Sequence, residues 1–307
     1  MLSFTLRRLL STVLVLWAVV TLTFFAIRLL PGDPATVLVS QAGGSAQDIA
    51  DVRQQLGLDE PLVVQYVRFL QGLVQGNLGV SLVSRRPVAD AIAEQLPHTL
   101  ALATSATFLA LLAGIPAGIV AATHRGSWID QLCIALSVLG FSIPILMSGL
   151  LLMLLFSLLL GWLPATGQGS WRHLVMPALC LSLASSATIA RLVRTQMLEV
   201  LPQGYITAAR GKGVTERVIL WRHALRNALI PVITVIGLQF GSLLGGTVVT
   251  ESLFSRRGLG RLVVDAIFWN DYPLIQGVVI LGAAIYIAVN FLVDVSYGLL
   301  DPRIRQG

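Results

Sequence analysis

Residues 205–231 read YITAARGKGVTERVILWRHALRNALIP, the longest hydrophilic interruption among the later apolar segments of the chain. The stretch has the character of something gripped by a partner rather than of a reaction centre. Ala208 and Ala209 on a short helix let another protein's surface come close to the backbone, and Gly211 and Gly213 allow the positive-φ turn that ends such a helix. Beyond the turn, Val214, Val218, Trp221 and Leu225 recur at helical spacing with Arg217, Arg222 and Arg226 between them, which predicts a second amphipathic helix.

Outside this stretch the chain is apolar. Of its 307 residues 55% are hydrophobic and 12% charged, with a mean hydropathy of +0.81, whereas a soluble domain carries roughly 45–50% and about 25%. Several runs reach the ~20 apolar residues that cross a bilayer, so the expected fold class is an all-α integral membrane protein. The net charge of +6 comes from arginine almost alone, Lys212 being the single lysine. Beside hydrophobic spans such charge sets orientation, and nucleic acid is not an expected partner. Cys133 and Cys180 sit in apolar runs with no metal or disulfide spacing and read as packing residues.

Arg7 and Arg8 precede an apolar run over 9–30, longer than a signal core and without a small-x-small cleavage site, so it reads as an uncleaved first span. From residue 31 to 98 the character changes: a Pro31-Gly32-Asp33-Pro34 turn, a polar stretch, an amphipathic run over 62–74 and a further short helix over 87–96 with Val88, Ile92 and Leu96 on one face. None of these is long enough to span, and together they predict an external helical subdomain. Further spans fall at 100–122, 132–160, 174–190, 229–249 and 274–293, which makes six transmembrane helices. The run 132–160 is too long for one straight crossing and tilts, bends near Pro144 or ends early. Between Arg191 and Arg226 lie seven basic and two acidic residues, against three of each between Glu251 and Pro273. The former loop therefore lies in the cytoplasm, and six spans put both termini there as well.

Catalytic constellations are missing. There is no HExxH, and His98, His124, His173 and His223 are scattered through segment ends and loops. Gly211-Lys212-Gly213 is not a phosphate loop, because Ile206 and Gly213 stand where that motif needs Gly and Ser or Thr. Ser142, Ser148 and Ser185 have no histidine base in a neighbouring span. Span interiors carry no carboxylate for ion coupling, Arg28, Arg191 and Asp294 being near span ends, so the energy source is expected in another subunit.

Residues 205–231 resemble the EAA loop of binding-protein-dependent ABC importers, on the match of Ala208, Ala209 and Gly213 and of Ile230-Pro231 opening the next span. Thr207, where the wider superfamily often has Glu, follows the dipeptide, oligopeptide and nickel branch. So do Leu30-Pro31-Gly32-Asp33-Pro34, Leu56-Gly57-Leu58-Asp59-Glu60-Pro61, Trp162-Leu163-Pro164-Ala165, Met176-Pro177-Ala178-Leu179, Asp271-Tyr272-Pro273 and Leu300-Asp301-Pro302-Arg303-Ile304-Arg305. Two departures stand out: Asn77 in place of the branch's usual Asp, and Arg257 before Gly258 in place of the usual proline.

The resemblance implies a type I ABC importer permease fold: a first span over 1–30, the external periplasmic subdomain over 31–95, a permease core over 96–297 with its coupling loop at 195–228, and a cytoplasmic tail over 298–307. It implies a non-catalytic subunit of the bacterial inner membrane, paired with a second homologous permease as a heterodimer. Two ABC ATPase subunits inside, which hold the ATP and Mg, and a solute-binding protein outside would complete the system; this chain itself is expected to bind no cofactor and no metal. Tyr205, Thr207, Ala208, Ala209, Gly211 and Gly213 are the expected ATPase contact, with Arg210 and Lys212 pairing with acidic ATPase groups. Ser137, Ser142, Ser148, Thr234, Gln239 and Ser242 are candidates for lining the pathway or for holding helices together, and Gly237, Gly241, Gly245 and Gly246 point to close helix packing. Glu251 and Asp271 are candidate contacts of the binding protein, a solvated rim carboxylate being the other reading of Glu251. The expected solute is a peptide, with glutathione or chelated nickel as alternatives; a stand-alone channel is the reading from another class.

Overall fold

In lipid a long apolar run satisfies its backbone polar groups as a helix, and a computed structural model shows that outcome. It describes residues 2–29, 35–36, 39, 45–55 and 57–300. The Pro31-Gly32-Asp33-Pro34 turn, Leu56 and residues 301–307, with Arg303 and Arg305, lie outside the described residues, as do the side chains of Ile230 and Asp294. The chain runs α1 (Leu2–Leu29), α2 (Ala46–Gln55), α3 (Leu62–Val74), α4 (Val88–Thr123), α5 (Trp128–Ser142) and α6 (Ile145–Leu152), which continues as a π-helix over Met153–Leu159. Then come α7 (Arg172–Val200), α8 (Gly204–Gly211), α9 (Glu216–Val218) with a π continuation over Ile219–Ala224, α10 (Leu225–Leu253), α11 (Leu259–Phe268) and α12 (Tyr272–Leu300).

Among the described residues five helices are long and apolar enough to cross a membrane, and α5 with α6 makes a sixth run, bent by 103° at Pro144. This run joins the two ends of α7. Near its start Asp130 grips Arg194 of α7 through Nε (2.6 Å) and Nη2 (2.8 Å), while Ile145, Met153 and Phe156 pack around Cys180 and Phe254. Cys180 and Arg194 are about 21 Å apart along α7 at helical rise, so the bent pair is one broken span. Of the three options left open for 132–160, bending is the one observed.

The short helix expected over 87–96 is not separate. Val88 and Ile92 are buried as expected, but they belong to the first turns of α4, which passes unbroken through Pro97 and Pro116 for 36 residues. At about 54 Å it exceeds the ~30 Å hydrocarbon core, so its first turns stand clear of the membrane. Packing explains why proline does not end it: Gly114 and Gly118 let α4 lie directly on α7, where a Cβ at Gly118 would sit 2.6 Å from the Ala190 carbonyl oxygen. Gly237 and Gly241 similarly admit Val293 and Tyr286 of α12, and Gly246 meets Leu181; a Cβ at Gly245 would meet open space.

The run 62–74 is a helix with those bounds, seated on the end of α1. Phe24, Phe25, Tyr66 and Phe69 form an aromatic cluster, and Arg28 lies over the Phe24 ring while its Nε donates to Gln65 at 3.0 Å. That contact, rather than exposure to headgroups, accounts for an arginine in an apolar helix.

Candidate functional site

An eight-residue helix is too short to hold itself together in water, so α8 is held by what lies beneath it. Ile206 is fully buried in a cluster with Ile119 of α4, Val193, Met197 and Val200 of α7, and Ile219, Ala224 and Leu225 beyond the turn, and Ala209 packs against the same cluster. The C-terminus is closed by a two-bond Schellman arrangement: Gly213 N–H donates to the Arg210 carbonyl (2.9 Å) and Val214 N–H to that of Ala209 (3.2 Å). Gly213 takes φ 77°, the left-handed value such a stop requires. Gly211 does not; it is the last helical residue, with nothing within 4 Å of a Cβ placed there. The expectation that both glycines serve the turn is therefore corrected.

The outward face of α8 carries Tyr205, Thr207, Ala208 and Gly211. Tyr205 Oη accepts from Asn227 Nδ2 at 2.6 Å, which ties the face to α10. Arg210 is engaged within the chain by Glu216, Nε to Oε1 at 2.7 Å, and the pairing holds the Glu216 carboxyl below the usual carboxylate range. Arg210 is therefore held on the surface beside Glu216, both side chains staying exposed. Lys212 has no ion-pair partner among the described residues.

The second amphipathic helix forms, and of the face expected Val214 and Leu225 meet the core while Val218 and Trp221 do not. Val218 and Trp221 are exposed, at 40% and 51%, whereas Ile219, Ala224, Leu225, Ala228 and Val232 are buried. The π turn over Ile219–Ala224 adds a residue to the turn, so Ile219 and Ala224, five apart, share the inner side and the 3.6-residue count slips. The helix is otherwise continuous from Glu216 to Leu253, joining α8 to the far end of the molecule.

The six candidate pathway residues do not converge. Ser137 and Ser148 are buried and donate to their own helices, to the Cys133 (2.8 Å) and Ile145 (2.9 Å) carbonyls, and Ser148 also meets Cys180 Sγ at 3.2 Å. For these two, of the two readings made from the sequence, packing is the one their burial favours. Ser142 is exposed. Thr234 Oγ1 and Gln239 Oε1 on α10 are buried atoms without a hydrogen-bond partner among the described residues. Ser242 is exposed and lines an intramembrane groove of about 720 Å³ with Ser11 and Thr12 of α1, Gly245 and, on α12, Asn290.

At the far end both candidate contact carboxylates turn inward. Glu251 has no exposed surface; it accepts from Thr99 Oγ1 (2.7 Å), Gly260 N–H (2.7 Å) and Arg261 N–H (3.2 Å), and Thr99 Oγ1 in turn accepts from Leu259 N–H (2.8 Å). Three first-turn amides of α11, which have no partner inside their own helix, are thus met by one carboxylate and one hydroxyl. Gly258 and Gly260 make room, since a Cβ on either would strike the carboxylate. Arg256, 5% exposed, donates from Nη1 to the His173 carbonyl at 3.0 Å, and its burial lowers its pKa against the opposing pull of Glu251. Asp271 is 1% exposed and accepts from Ser81 Oγ and from the amides of Leu82 (3.1 Å), Val83 (3.3 Å) and Leu274 (3.3 Å), capping α12 while holding residues 81–83 ahead of α4. A solvated rim position for Glu251 is corrected, and it and Asp271 are both committed to internal donors. Thr99 and Gly260 were not singled out from the sequence, and Gly258 only for the missing proline before it, although Gly-x-Gly seven residues after a span-end Glu is a visible signal.

Family comparison agrees along the whole length. Residues 114–306 match the model of the binding-protein-dependent transport system inner membrane component, and residues 1–103 that of the N-terminal part of the same membrane component. Among curated proteins, the chain is 46% identical over 305 residues to the glutathione transport system permease protein GsiC of Salmonella paratyphi A (strain ATCC 9150 / SARB42), covering 99% of each chain. It is 45% identical over 305 residues to GsiC of Escherichia coli (strain K12), with the same coverage. Among solved structures, an inward-facing conformation of the MetNI methionine ABC transporter aligns with a TM-score of 0.58 at 21% identity, covering 68% of this chain and 96% of that one.

Proposed function

Because the chain belongs to the family of binding-protein-dependent transport system inner membrane components, a multi-pass permease of the inner membrane, we propose that it forms half of the pathway of an ATP-driven importer of peptide-class solutes, glutathione first among them. A second homologous permease supplies the other half as a heterodimer. Two ABC ATPases, which carry the ATP and Mg, dock from the cytoplasm, and a solute-binding protein delivers the solute from the opposite side. The chain itself is non-catalytic and needs no bound cofactor. The basic loop around α8 faces the cytoplasm, in keeping with the excess of arginine there, and both termini lie on that side.

The observation that carries this reading is the construction of α8. Ile206 and Ala209 seat it on the body, small residues face outward, and the chain beyond its stop runs as one helix to Glu251. Such a helix delivers a push on its outer face to the far end of the molecule, which is what an external motor requires. The contact is assigned to Tyr205, Thr207, Ala208 and Gly211, with Lys212 as the available cation. The choice of glutathione rests on the relatives named for its transport; glutathione is itself a tripeptide, so it lies inside the peptide class.

The test is ATP hydrolysis by the full complex in liposomes, with its binding protein offered glutathione, a dipeptide or a nickel chelate in turn. Stimulation by glutathione supports the reading as stated; stimulation only by the chelate refutes the solute class and leaves the coupling assignment standing. Solute flux through the permease without any ATPase would identify a channel and overturn both.

A further inference from the structure

Helix α11 lies between two cavities. Leu262, Asp265 and Trp269 line an outer cavity of about 930 Å³, and Leu259, Gly260 and Val263 line the intramembrane groove of about 720 Å³. We propose that α11 is the movable partition between these spaces, and that Glu251 is the positioning residue that makes it travel with α10. The proposal rests on the importer reading and adds the part of this subunit through which the far side opens.

Three observations support it. First, the Glu251 carboxylate leaves α10 and accepts from two amides of α11, while Thr99 of α4 bonds both the carboxylate and the Leu259 amide. Without exposed surface, the cluster has no water to replace those bonds, so α10 cannot shift along its axis without drawing the start of α11 or breaking contacts in an enclosed site. Second, the two connectors of α11 each contain a non-glycine residue in the left-handed region, Ser255 (φ 48°) before it and Asn270 (φ 53°) after it. Conformations of that kind persist where the surroundings enforce them and gather at elements that switch. Third, the helix that carries Glu251 near its far end runs on from Glu216 through one π segment and begins beside α8, so a displacement at the exposed face of α8 and a displacement of the partition are the two ends of one continuous helix.

The test uses the complete complex in liposomes and compares Thr99→Val, which keeps the side chain's shape but removes both hydroxyl bonds, with Thr99→Ser, which retains the hydroxyl, and with Glu251→Gln. The expected result for Thr99→Val and Glu251→Gln is about tenfold less solute moved per ATP hydrolysed, a loss of the size a broken coupling contact produces. Binding-protein-stimulated hydrolysis persists in both variants, and Thr99→Ser restores the ratio. A second readout separates positioning from folding: with Cys133 and Cys180 replaced, Val263→Cys on the groove face reacts with an impermeant thiol reagent from the binding-protein side only during turnover. Adding Thr99→Val makes that labelling independent of ATP. Uptake and hydrolysis falling together, an unchanged ratio in Thr99→Val, or labelling that ignores turnover in the otherwise wild-type chain would each overturn the proposal. A wild-type complex without coupled uptake overturns the importer reading instead, and the two failures are distinguishable.

Discussion

Ile206→Ala tests whether α8 functions because it is held on the body. Ile206 has no exposed surface and is the one fully buried side chain of an eight-residue helix. Truncating a buried Ile to Ala costs 2–5 kcal/mol, so about 3 kcal/mol serves as a working value. At about 1.4 kcal/mol per factor of ten, the equilibrium between seated and loosened α8 shifts by about a hundredfold. Ile206→Val, which removes a single methyl, costs about 1 kcal/mol and shifts it by about fivefold. Hydrogen exchange in nanodiscs reads this at the amides of Lys212, Gly213 and Val214, whose bonds to the Ala208, Arg210 and Ala209 carbonyls close the helix. Exchange there should accelerate in the order wild type, Val, Ala, while the amides of α7 keep their protection. Uptake should fall in the same order. Unchanged protection in Ile206→Ala would refute the seating argument, and full uptake despite lost protection would show that an ordered α8 is not needed for coupling.

Three further outcomes follow from the same geometry. Ala208→Arg, on the exposed face, should abolish ATPase binding without lowering the thermal midpoint of the subunit, whereas Ala209→Arg, against the core, should lower both; equal behaviour would refute the assigned faces. Gly211→Ala should stabilise α8 by about 0.5–1 kcal/mol, since the position is helical, and Gly213→Ala should destabilise it by about 1–2 kcal/mol, since its φ is left-handed. Uptake should nonetheless fall in both, in Gly213→Ala because the helix loosens and in Gly211→Ala because the residue lies on the proposed docking face, and normal uptake by Gly211→Ala would remove that residue from the contact. The Glu216 carboxyl is held below its ordinary range by Arg210, so the stability from that pair is complete above the ordinary carboxylate range and lost only as pH falls through the lowered value. Exchange at the α8 amides should therefore show no step between pH 6 and pH 8 from this pair, and a step abolished by Glu216→Gln would contradict the pairing.

How far the fold could be read in advance depended on the range of the interactions concerned. Spans were legible because crossing lipid needs only length and apolarity, and the amphipathic run 62–74 because its partner, the end of α1, meets one face. The break at Pro144 was legible as one of three options, and choosing among them took the Asp130–Arg194 pair, 64 residues apart in sequence. The separate helix over 87–96 was misread because Pro97 looks like a stop to any local rule, while the contact that carries α4 onward is with α7. The π turn over Ile219–Ala224 is a one-residue insertion paid for by tertiary packing, and no spacing of apolar residues announces it. In α8 and its turn the small residues and the positive-φ stop at Gly213 were visible, but not that Arg210 pairs with Glu216. Glu251 was misplaced for the most instructive reason: a carboxylate at a span end suggests water, and its donors come from residues 99, 260 and 261, which only the folded chain brings together.

The broken span also governs how the subunit sits in its solvent. Fifteen residues of α5 rise about 22 Å, and after a bend of 103° the following segment runs largely across that direction. On this side the protein therefore presents lipid with an apolar band shorter than the ~30 Å of a typical hydrocarbon core, while α4, elsewhere in the molecule, exceeds it. Leu146, Leu150, Leu154 and Leu158 face outward along the transverse segment. The bilayer must thin beside them or a neighbouring helix must cover them; where lipid meets them, acyl-chain length becomes a variable that acts on this transporter through the edge of one kinked helix.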